Sequence, residues 1–471
     1  MARLAAVLAC LLALPASALA ASRIPAPHAP QNPQLARDPN SNIHNDTWMS
    51  DAYNRRGPVP GGLTTQLGAL PPSVCGSLAF DRRGRILSVC PSTVTAPTLR
   101  LIDPRTLTVL AQYAMPAGLP APPGTPAFQN FTGGGYFFLD RHDRVWSATK
   151  TNHLFVLAET GGGSGFRKVA DYDLSSAVSG DERVTSALPD FRGRIWFVTK
   201  KDGKIGTLDP RTRRIRLLRT GEEIENSFAV GRDAVYVVSD RRMYRLSAGR
   251  GGRPHIDWSV RYRNSEIQKP GQVDAGSGTT PTILSGGFVA ITDNADPMDV
   301  VVYRTARHLR RGQRRTVCTV PVFGRGASAT ENSLIGAGHS LIAENNYGYQ
   351  DPFGPQAGAI SAPGLARVDI ARSGSACRLV WTNRTVRAPS VVPKLSTKTQ
   401  LVYAYTQDSN AAGGQTWSWV GVDARTGRTA FKVPAGDGLT ANNNYAGIAL
   451  GRDGSAYLGT IGGIRALRNT R

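Results

Sequence analysis

A hairpin pattern that recurs along the chain constrains its fold more than any other feature. Each copy has a short apolar strand, a tight turn with Asp and usually Gly, and a second strand rich in aromatic or β-branched residues. The clearest copies span residues 77–87, 136–146 and 187–196. Weaker copies begin near Ser227, Thr280, Ser333, Val391 and Gly447. Starts about 40 to 60 residues apart are typical of four-stranded propeller blades.

A second turn signature follows most of these hairpins, in which Asp is followed two or three residues later by Arg and Thr. It occurs in residues 101–106, 207–212 and 422–427, and it indicates two further strands in each unit. Helical periodicity is absent beyond the first 20 residues, and 51 Gly with 31 Pro fit a structure made of many turns. The sequence therefore predicts an all-β fold, a single β-propeller of about eight four-stranded blades.

The last unit is one strand short, because only residues 463–467 follow its hairpin. An open ring would expose two unpaired sheet edges. We therefore expect a segment between Thr47 and Leu70 to close the ring as the outer strand of that blade.

The N-terminal region divides into two parts before the propeller. Residues 1–20 are typical of a signal peptide, with Arg3 at the start, an apolar run over 4–14 and small residues at 18–20. Residues 21–46 are rich in Pro, Asn and Ala without periodicity, which predicts a disordered lead-in. Residues 47–471 form the propeller domain. Since no later stretch approaches the roughly 18 apolar residues of a membrane helix, we expect a secreted, extracellular protein with no transmembrane segment after cleavage.

The final 50 or so residues carry a resemblance to a known group of propellers. Residues 421–431, Gly-Val-Asp-Ala-Arg-Thr-Gly-Arg-Thr-Ala-Phe, are similar to the repeat of the pyrroloquinoline-quinone-type propellers, with Phe431 where that superfamily usually has Trp. Residues 451–460 resemble its hairpin. The resemblance implies the fold and leaves the function open, because such propellers include enzymes and scaffolds. The adjacent Cys-Cys pair of quinone-dependent alcohol dehydrogenases is absent from the sequence.

Four cysteines follow the signal peptide, and an even number outside the cell suggests disulfides. If residues 82–83 form a two-residue turn, Cys75 and Cys90 stand opposite each other, and a bond closing about 15 residues would stabilise the fold by about 3 kcal/mol. For Cys318 and Cys377 two arguments conflict. Parity favours a bond, whereas their places in the outer strands of neighbouring blades oppose one.

The chain is strongly basic, with 56 Lys and Arg against 34 Asp and Glu and a net charge of +22. Such a charge suits an acidic surface polymer as partner. Because the Arg residues are scattered through turns and no nucleic-acid-binding module is recognisable, nucleic acid is not an expected partner.

Acidic and amide side chains gather where the chain enters each inner strand or leaves the second strand of a blade. In a propeller these positions meet at one mouth of the central channel, so the sequence predicts a site there for a small polar ligand or a cation. The predicted site residues are Glu225, Asn226, Asp293, Asn294, Glu331, Asn332, Glu344, Asn345 and Asn444.

Calcium is the cofactor that such oxygen-rich groups suit. If residues 337–338 form a two-residue turn, Glu331 and Glu344 are cross-strand neighbours, and like charges directly opposite are destabilising unless something compensates. A bound cation, an Arg from an adjacent blade or protonation of one partner would compensate. We favour a cation, because Asn332, Asn345 and Asn346 are beside the pair, and this makes Glu331 and Glu344 the predicted calcium ligands.

Three functions are compatible with these patterns. The first is a binding or scaffold propeller that uses the mouth as its ligand site. The second is a calcium-dependent hydrolase or lactonase acting at the same site. The third, implied by the resemblance, is a quinone-dependent dehydrogenase. The identity of the ligand and the catalytic residues, if any, stay open at this level.

Overall fold

The computed structural model describes residues 21–70, 73–92, 96–117, 135–180, 182–350, 361–412 and 414–470. Eight blades, each with four antiparallel strands, form a ring. The short strand at residues 52–53 adds to the seventh blade as a fifth strand, parallel to its inner strand. The inner strand of each sheet starts within three residues of a start predicted from the hairpin pattern or its weaker copies. The prediction of an all-β propeller with eight blades is confirmed, and the assignment to the quinone-type superfamily stays a prediction. The predicted signal peptide lies outside the described residues.

The strands are numbered along the chain. Two precede the first blade: β1 (Ala52–Tyr53) and β2 (Leu63–Ala69). Blades 1 to 4 consist of β3 (Ala79–Phe80), β4 (Ile86–Cys90), β5 (Thr98–Ile102), β6 (Val109–Ala114); β7 (Phe137–Leu139), β8 (Val145–Ala148), β9 (His153–Thr160), β10 (Gly165–Asp173); β11 (Val184–Pro189), β12 (Ile195–Thr199), β13 (Lys204–Leu208), β14 (Ile215–Arg219); and β15 (Ala229–Val230), β16 (Val235–Val238), β17 (Arg242–Ala248), β18 (Pro254–Arg261).

Blades 5 to 8 consist of β19 (Thr282–Leu284), β20 (Phe288–Thr292), β21 (Asp299–Arg304), β22 (Thr316–Pro321); β23 (Ile335–Ala337), β24 (Ser340–Glu344), β25 (Leu365–Ile370), β26 (Cys377–Asn383); β27 (Lys394–Ser396), β28 (Leu401–Ser409), β29 (Gln415–Asp423), β30 (Thr429–Asp437); and β31 (Ala449–Leu450), β32 (Ala456–Thr460), β33 (Gly463–Asn469). Among the residues that the structure describes, two short 3-10 helices, Arg250–Gly252 and Leu439–Ala441, lie between strands. None of the described helices is long and apolar enough to cross a membrane.

The ring is closed by β2, which pairs antiparallel with β33 along its whole length. The register runs from Leu63 opposite Asn469 to Ala69 opposite Gly463. Blade 8 therefore takes its outer strand from the N-terminal part of the chain, as the missing strand of the last unit predicts.

Residues 32–55, here called the plug, pass through the channel and bind the inner strand of every blade. Six plug carbonyls accept hydrogen bonds from inner-strand amides of blades 1, 2, 4, 5, 6 and 7, at distances of 2.8 to 3.2 Å. The amide-bearing residues are Phe80, Leu139, Val230, Ile283, Gly336 and Leu395. Asn32 donates to the Pro189 carbonyl of blade 3, and Arg55 donates to the Leu450 carbonyl of blade 8.

The plug differs from the disordered lead-in that the sequence predicts over residues 21–46. Asn32, Asn40, Ser41, Asn45 and Asp46 are at most 3% exposed. The physical reason is that an inner strand has a neighbour on one side only, so its free N–H groups need acceptors. A polar segment without periodicity can supply those acceptors, and a search for amphipathic periodicity does not detect it.

The recurring Asp of the hairpin turn organises that turn. In blade 2, Asp140 Oδ1 accepts the backbone amides of His142 and Arg144 at 2.8 and 3.1 Å. Its Oδ2 accepts the Arg144 guanidinium at 2.6 Å and the Trp146 indole N–H at 2.9 Å. Asp190 in blade 3 repeats both kinds of contact. The recurring spacing within the repeat thus comes from one carboxylate that accepts the amides of the turn and binds side chains of the second strand.

Both disulfides are present. Cys75 and Cys90 are bonded within blade 1, with a Cα–Cα distance of 4.2 Å. The register behind that prediction is wrong by one residue, because Asp81 N donates to Arg85 O and Gly84, at φ +83°, adds a bulge to the turn.

Cys318 in β22 and Cys377 in β26 are also bonded, at a Cα–Cα distance of 5.9 Å. The argument from topology against this bond is wrong. The outer strands of blades 5 and 6 pack against each other there, and both cysteines join the apolar cluster between the two sheets.

Candidate functional site

A cavity of about 160 Å³ opens at the mouth of the channel where the connections between blades meet. Five of the predicted site residues line it: Glu225, Asn226, Glu331, Asn332 and Asn444. Its wall also contains Tyr136 and Ser333, with apolar surface from Val74, Val273 and Val392. The plug contributes Ile43 and His44, so the segment that fills the channel also forms part of the wall of the cavity.

The other predicted site residues brace loops away from the cavity. Asp293 Oδ1 accepts the amides of Ala295 and Asp299, and Asn294 Nδ2 donates to the side chain of Asn264 and the carbonyl of Ile267. Asn345 Oδ1 accepts the amides of Ala329 and Tyr347, and its Nδ2 donates to the Ala327 carbonyl. These side chains hold backbone turns in place.

The predicted pairing of Glu331 with Glu344 is wrong. In blade 6, Ala337 faces Ser340 and Ile335 faces Ile342, so the turn is at residues 338–339, one position later than predicted. That register places Ser333 opposite Glu344 and Asn346 opposite Glu331. The amide of Glu331 accordingly donates to Asn346 Oδ1 at 2.8 Å. Glu331 and Glu344 are therefore not cross-strand neighbours.

Glu344 lies behind the cavity wall. Its Oε1 accepts hydrogen bonds from the side-chain amides of Asn332 and Asn346, while its Oε2 is buried without a partner. Burial raises the pKa of Glu344 to about 8, although the two amide donors oppose the shift. At neutral pH this carboxyl is therefore largely protonated.

Acidic side chains cluster around one lysine beside the cavity. Glu225 Oε2 lies 2.5 Å from Lys200 Nζ, and single carboxylate oxygens of Glu223, Glu225 and Asp274 lie within 4.8 Å of one another. Burial, followed by the charges of Glu225 and Glu223, raises the pKa of Asp274 to about 8. Burial, followed by the charges of Asp274 and Glu225, raises the pKa of Glu331 well above its usual range. Lys200 thus pairs with Glu225 and Glu223 within this acidic cluster. The set with spacing suited to a metal, Glu223, Glu225 and Asp274, differs from the predicted pair.

The plug adds a functional group that the sequence analysis missed. His44 is 3% exposed, and its Nδ1 lies 3.1 and 3.0 Å from Asp51 Oδ1 and Oδ2. Its Nε2 lies 3.4 Å from Ser333 Oγ at the cavity wall. The ammonium of Lys394 contacts the other side of Asp51, and both side chains are fully buried. No local pattern marks His44, because it lies in a segment without periodicity and meets Ser333 only through the ring.

Asn226 offers a free donor in the same cavity. Its Oδ1 accepts the hydroxyl of Tyr136 at 2.8 Å, which fixes the amide so that Nδ2 remains available. Asn226 is 7% exposed, and Nδ2 is buried without a hydrogen-bond partner. The Tyr136 ring lies 6.2 Å from the His44 ring, so Asn226, Tyr136 and His44 form one side of the cavity.

No family model matches the chain. An uncharacterised protein of Archaeoglobus fulgidus is 26% identical over 359 residues, which is 69% of this chain and 69% of that protein.

Solved structures with a similar fold include a streptogramin B lyase, with a TM-score of 0.44, 11% identity, and coverage of 90% of this chain and 100% of that one. The WD40 domain of SCAP from fission yeast has a TM-score of 0.46 and 10% identity, with 86% and 97% covered. Virginiamycin B lyase from Staphylococcus aureus has a TM-score of 0.40 and 11% identity, with 70% and 93% covered.

Proposed function

We propose that this protein is a secreted binding propeller whose channel mouth holds a small polar ligand through its positive charge, with a calcium ion as the simplest such ligand. The observation that carries the proposal is the excess of carboxyl groups over cations at the cavity. Glu225 and Glu331 line the cavity, Glu223 and Asp274 lie beside them, and Lys200 is their close cationic partner.

Electrostatics favours a cation at this place over an anion. Like charges that share a buried site repel one another, and a cation among them relieves that repulsion. Lys200 supports this preference, because its ammonium lies 2.5 Å from Glu225 and, although burial lowers its pKa, Glu225 and Glu223 raise it overall. Calcium prefers oxygen ligands from carboxylates and amides, which the cavity provides.

Secretion is supported by two disulfides, which persist mainly outside the cytoplasm. The basic exterior of a chain with a net charge of +22 suits attachment to an acidic surface polymer, and this leaves the acidic mouth as the place for the small ligand.

Isothermal titration calorimetry on chelator-treated protein tests the proposal. Calcium chloride is titrated in one series and putrescine, a small organic diamine, in another. We expect a saturable heat with one of them, which distinguishes a metal ion from an organic ammonium. The combined variant Glu225→Gln with Asp274→Asn should lose that heat.

Glu266→Gln is the matched control, because Glu266 is an exposed glutamate in the connection between β18 and β19 and does not line the cavity. It should bind as the parent does. An absence of heat with both ligands, or equal heats in the parent and the combined variant, would overturn the proposal.

A further inference from the structure

Three side chains at the mouth have the arrangement of an activated nucleophile. Ser333 Oγ is 3.4 Å from His44 Nε2, and His44 Nδ1 is 3.0 Å from Asp51 Oδ2. A carboxylate only accepts hydrogen bonds, so Asp51 fixes the proton of His44 on Nδ1 and leaves Nε2 free to accept the Ser333 proton. A serine, its base and a group that orients the base are the parts required for nucleophilic catalysis.

We propose that Ser333, His44 and Asp51 hydrolyse a small carboxylic ester bound in the channel mouth. The proposal rests on the proposed function in one respect, namely that the cavity admits a small ligand whose positive charge faces the acidic cluster. The substrate class is therefore an ester whose alcohol part carries a positive charge, with a short acyl group against Val74 and Val392.

The plug holds the base in a rigid and strained loop. Asn45, Met49 and Asp51 have φ values of +75°, +57° and +52°, a region that residues with a side chain seldom adopt. Asp46 bridges the loop, because its Oδ1 accepts the amides of Trp48 and Ser50. Local strain of this kind persists where the surrounding structure enforces it, and it concentrates at functional sites.

Lys394 compensates the charge of the buried Asp51 carboxylate. Both side chains are fully buried and in contact, and Lys394 Nζ also donates to the carbonyl of Ile43. A buried carboxylate without such a partner would be expensive to maintain. Lys394 thereby keeps an acceptor behind His44, and it acts as a positioning residue.

Asn226 supplies the donor that acyl transfer requires. The tetrahedral intermediate places a negative charge on the former carbonyl oxygen, and a buried, preorganised N–H stabilises it. Asn226 Nδ2 is such a group, since Tyr136 holds the other end of the amide and no protein atom accepts from Nδ2 among the described residues.

The reaction proceeds in two balanced steps. In the first, Ser333 Oγ bonds to the acyl carbon, its proton passes to His44 Nε2, and the carbonyl electron pair moves to the oxygen near Asn226. Collapse of this intermediate breaks the ester C–O bond, and the leaving alcohol takes the proton from His44. In the second, water attacks the acyl-enzyme, gives a proton to His44, and releases the carboxylic acid as the proton returns to Ser333.

Labelling with a small alkyl fluorophosphonate tests the proposal without knowledge of the substrate. Ser333 Oγ should displace fluoride from phosphorus, and peptide mapping should find one phosphonate on Ser333. Ser333→Ala should abolish labelling, and Asp51→Asn or His44→Gln should slow it by about 100-fold or more. Ser77→Ala is the matched control, because Ser77 lines the same cavity but donates to the Gly135 carbonyl.

A second readout keeps the test independent of folding defects in the plug variants. With p-nitrophenyl acetate the parent should release a burst of about one nitrophenolate per chain, and Ser333→Ala, which changes one hydroxyl, should show no burst. The inference is overturned if the parent is not labelled, if the label lies on another residue, or if Ser333→Ala is still labelled. Calcium and putrescine titrations separate the two proposals. If the ligand binds to the parent and to Ser333→Ala but the parent is not labelled, only the esterase proposal is contradicted.

Discussion

His44 and Asp51 lie seven residues apart in the plug, and their side chains meet at 3.0 Å while at most 4% of either is exposed. The same Asp51 contacts Lys394 of β27, so the hydrogen bond is tied to blade 7. The residues that present a base to the cavity are therefore also residues that hold the plug in the ring, and changes to them should affect stability as well as chemistry.

Lys394→Met should lower the free energy of unfolding by about 3 to 5 kcal/mol, because it leaves the buried Asp51 carboxylate without its cation. Adding Asp51→Asn should restore part of the loss, since the lone charge is then gone. Lys432→Met is the control. Its partner Asp408 is 2.6 Å away and both side chains are more than a third exposed, so the change should cost less than about 1 kcal/mol. Urea unfolding measures all three, and equal losses for Lys394→Met and Lys432→Met would contradict the buried pairing.

Glu344 should make the protein less stable as the pH rises. Its pKa is about 8 in the folded protein against the usual 4.5, so between these values the folded state binds a proton that the unfolded chain has released. Stability therefore falls as the pH rises through this interval. Between pH 5 and pH 8 the parent should lose about 3 kcal/mol more than Glu344→Gln, which mimics the protonated side chain. Urea unfolding at both pH values tests this, with Glu266→Gln as a control that should follow the parent. Identical pH dependence in the parent and Glu344→Gln would show that Glu344 is not held protonated.

The two disulfides should differ in their contribution to stability. Their cysteines are separated by 15 and 59 positions, and the chain-entropy model assigns about 3 and about 4 kcal/mol to loops of these lengths. Cys318→Ser should therefore lower the melting temperature at least as much as Cys75→Ser under oxidising conditions. Under reducing conditions both variants should melt close to the reduced parent, and a large remaining difference would mean that packing of the cysteine side chains, rather than the bonds, is responsible.

The blades were predictable because their signals are local. A turn such as residues 81–85 carries its Asp and Gly within a few positions, and the two strands that it joins follow directly. The closing strand was also predictable, because the last unit visibly lacks one. The exact strand registers were not predictable. A bulge at Gly84, or a shift of the turn at residues 338–339 by one position, changes every pair of residues that face each other across the two strands.

The site was predictable only in part, for a related reason. Glu225 and Asn332 could be placed at the mouth from the positions of their strands, and both line the cavity. His44 could not, because its neighbours Ser333 and Tyr136 are distant in sequence and the plug has no pattern of its own. A polar segment that becomes ordered by filling the channel has no hydrophobic periodicity, so an analysis of periodicity does not predict it.

Hydrogen–deuterium exchange of residues 44–53 tests most directly whether the plug occupies the channel and presents His44 to its mouth. The amides of Asp46, Met49, Ser50 and Asp51 all donate to buried acceptors within the plug. Inner-strand amides of six blades also donate to plug carbonyls. Peptides from this segment should therefore exchange as slowly as those from β12 and β28, over hours at neutral pH. Complete exchange within seconds, as in a disordered lead-in, would contradict the account.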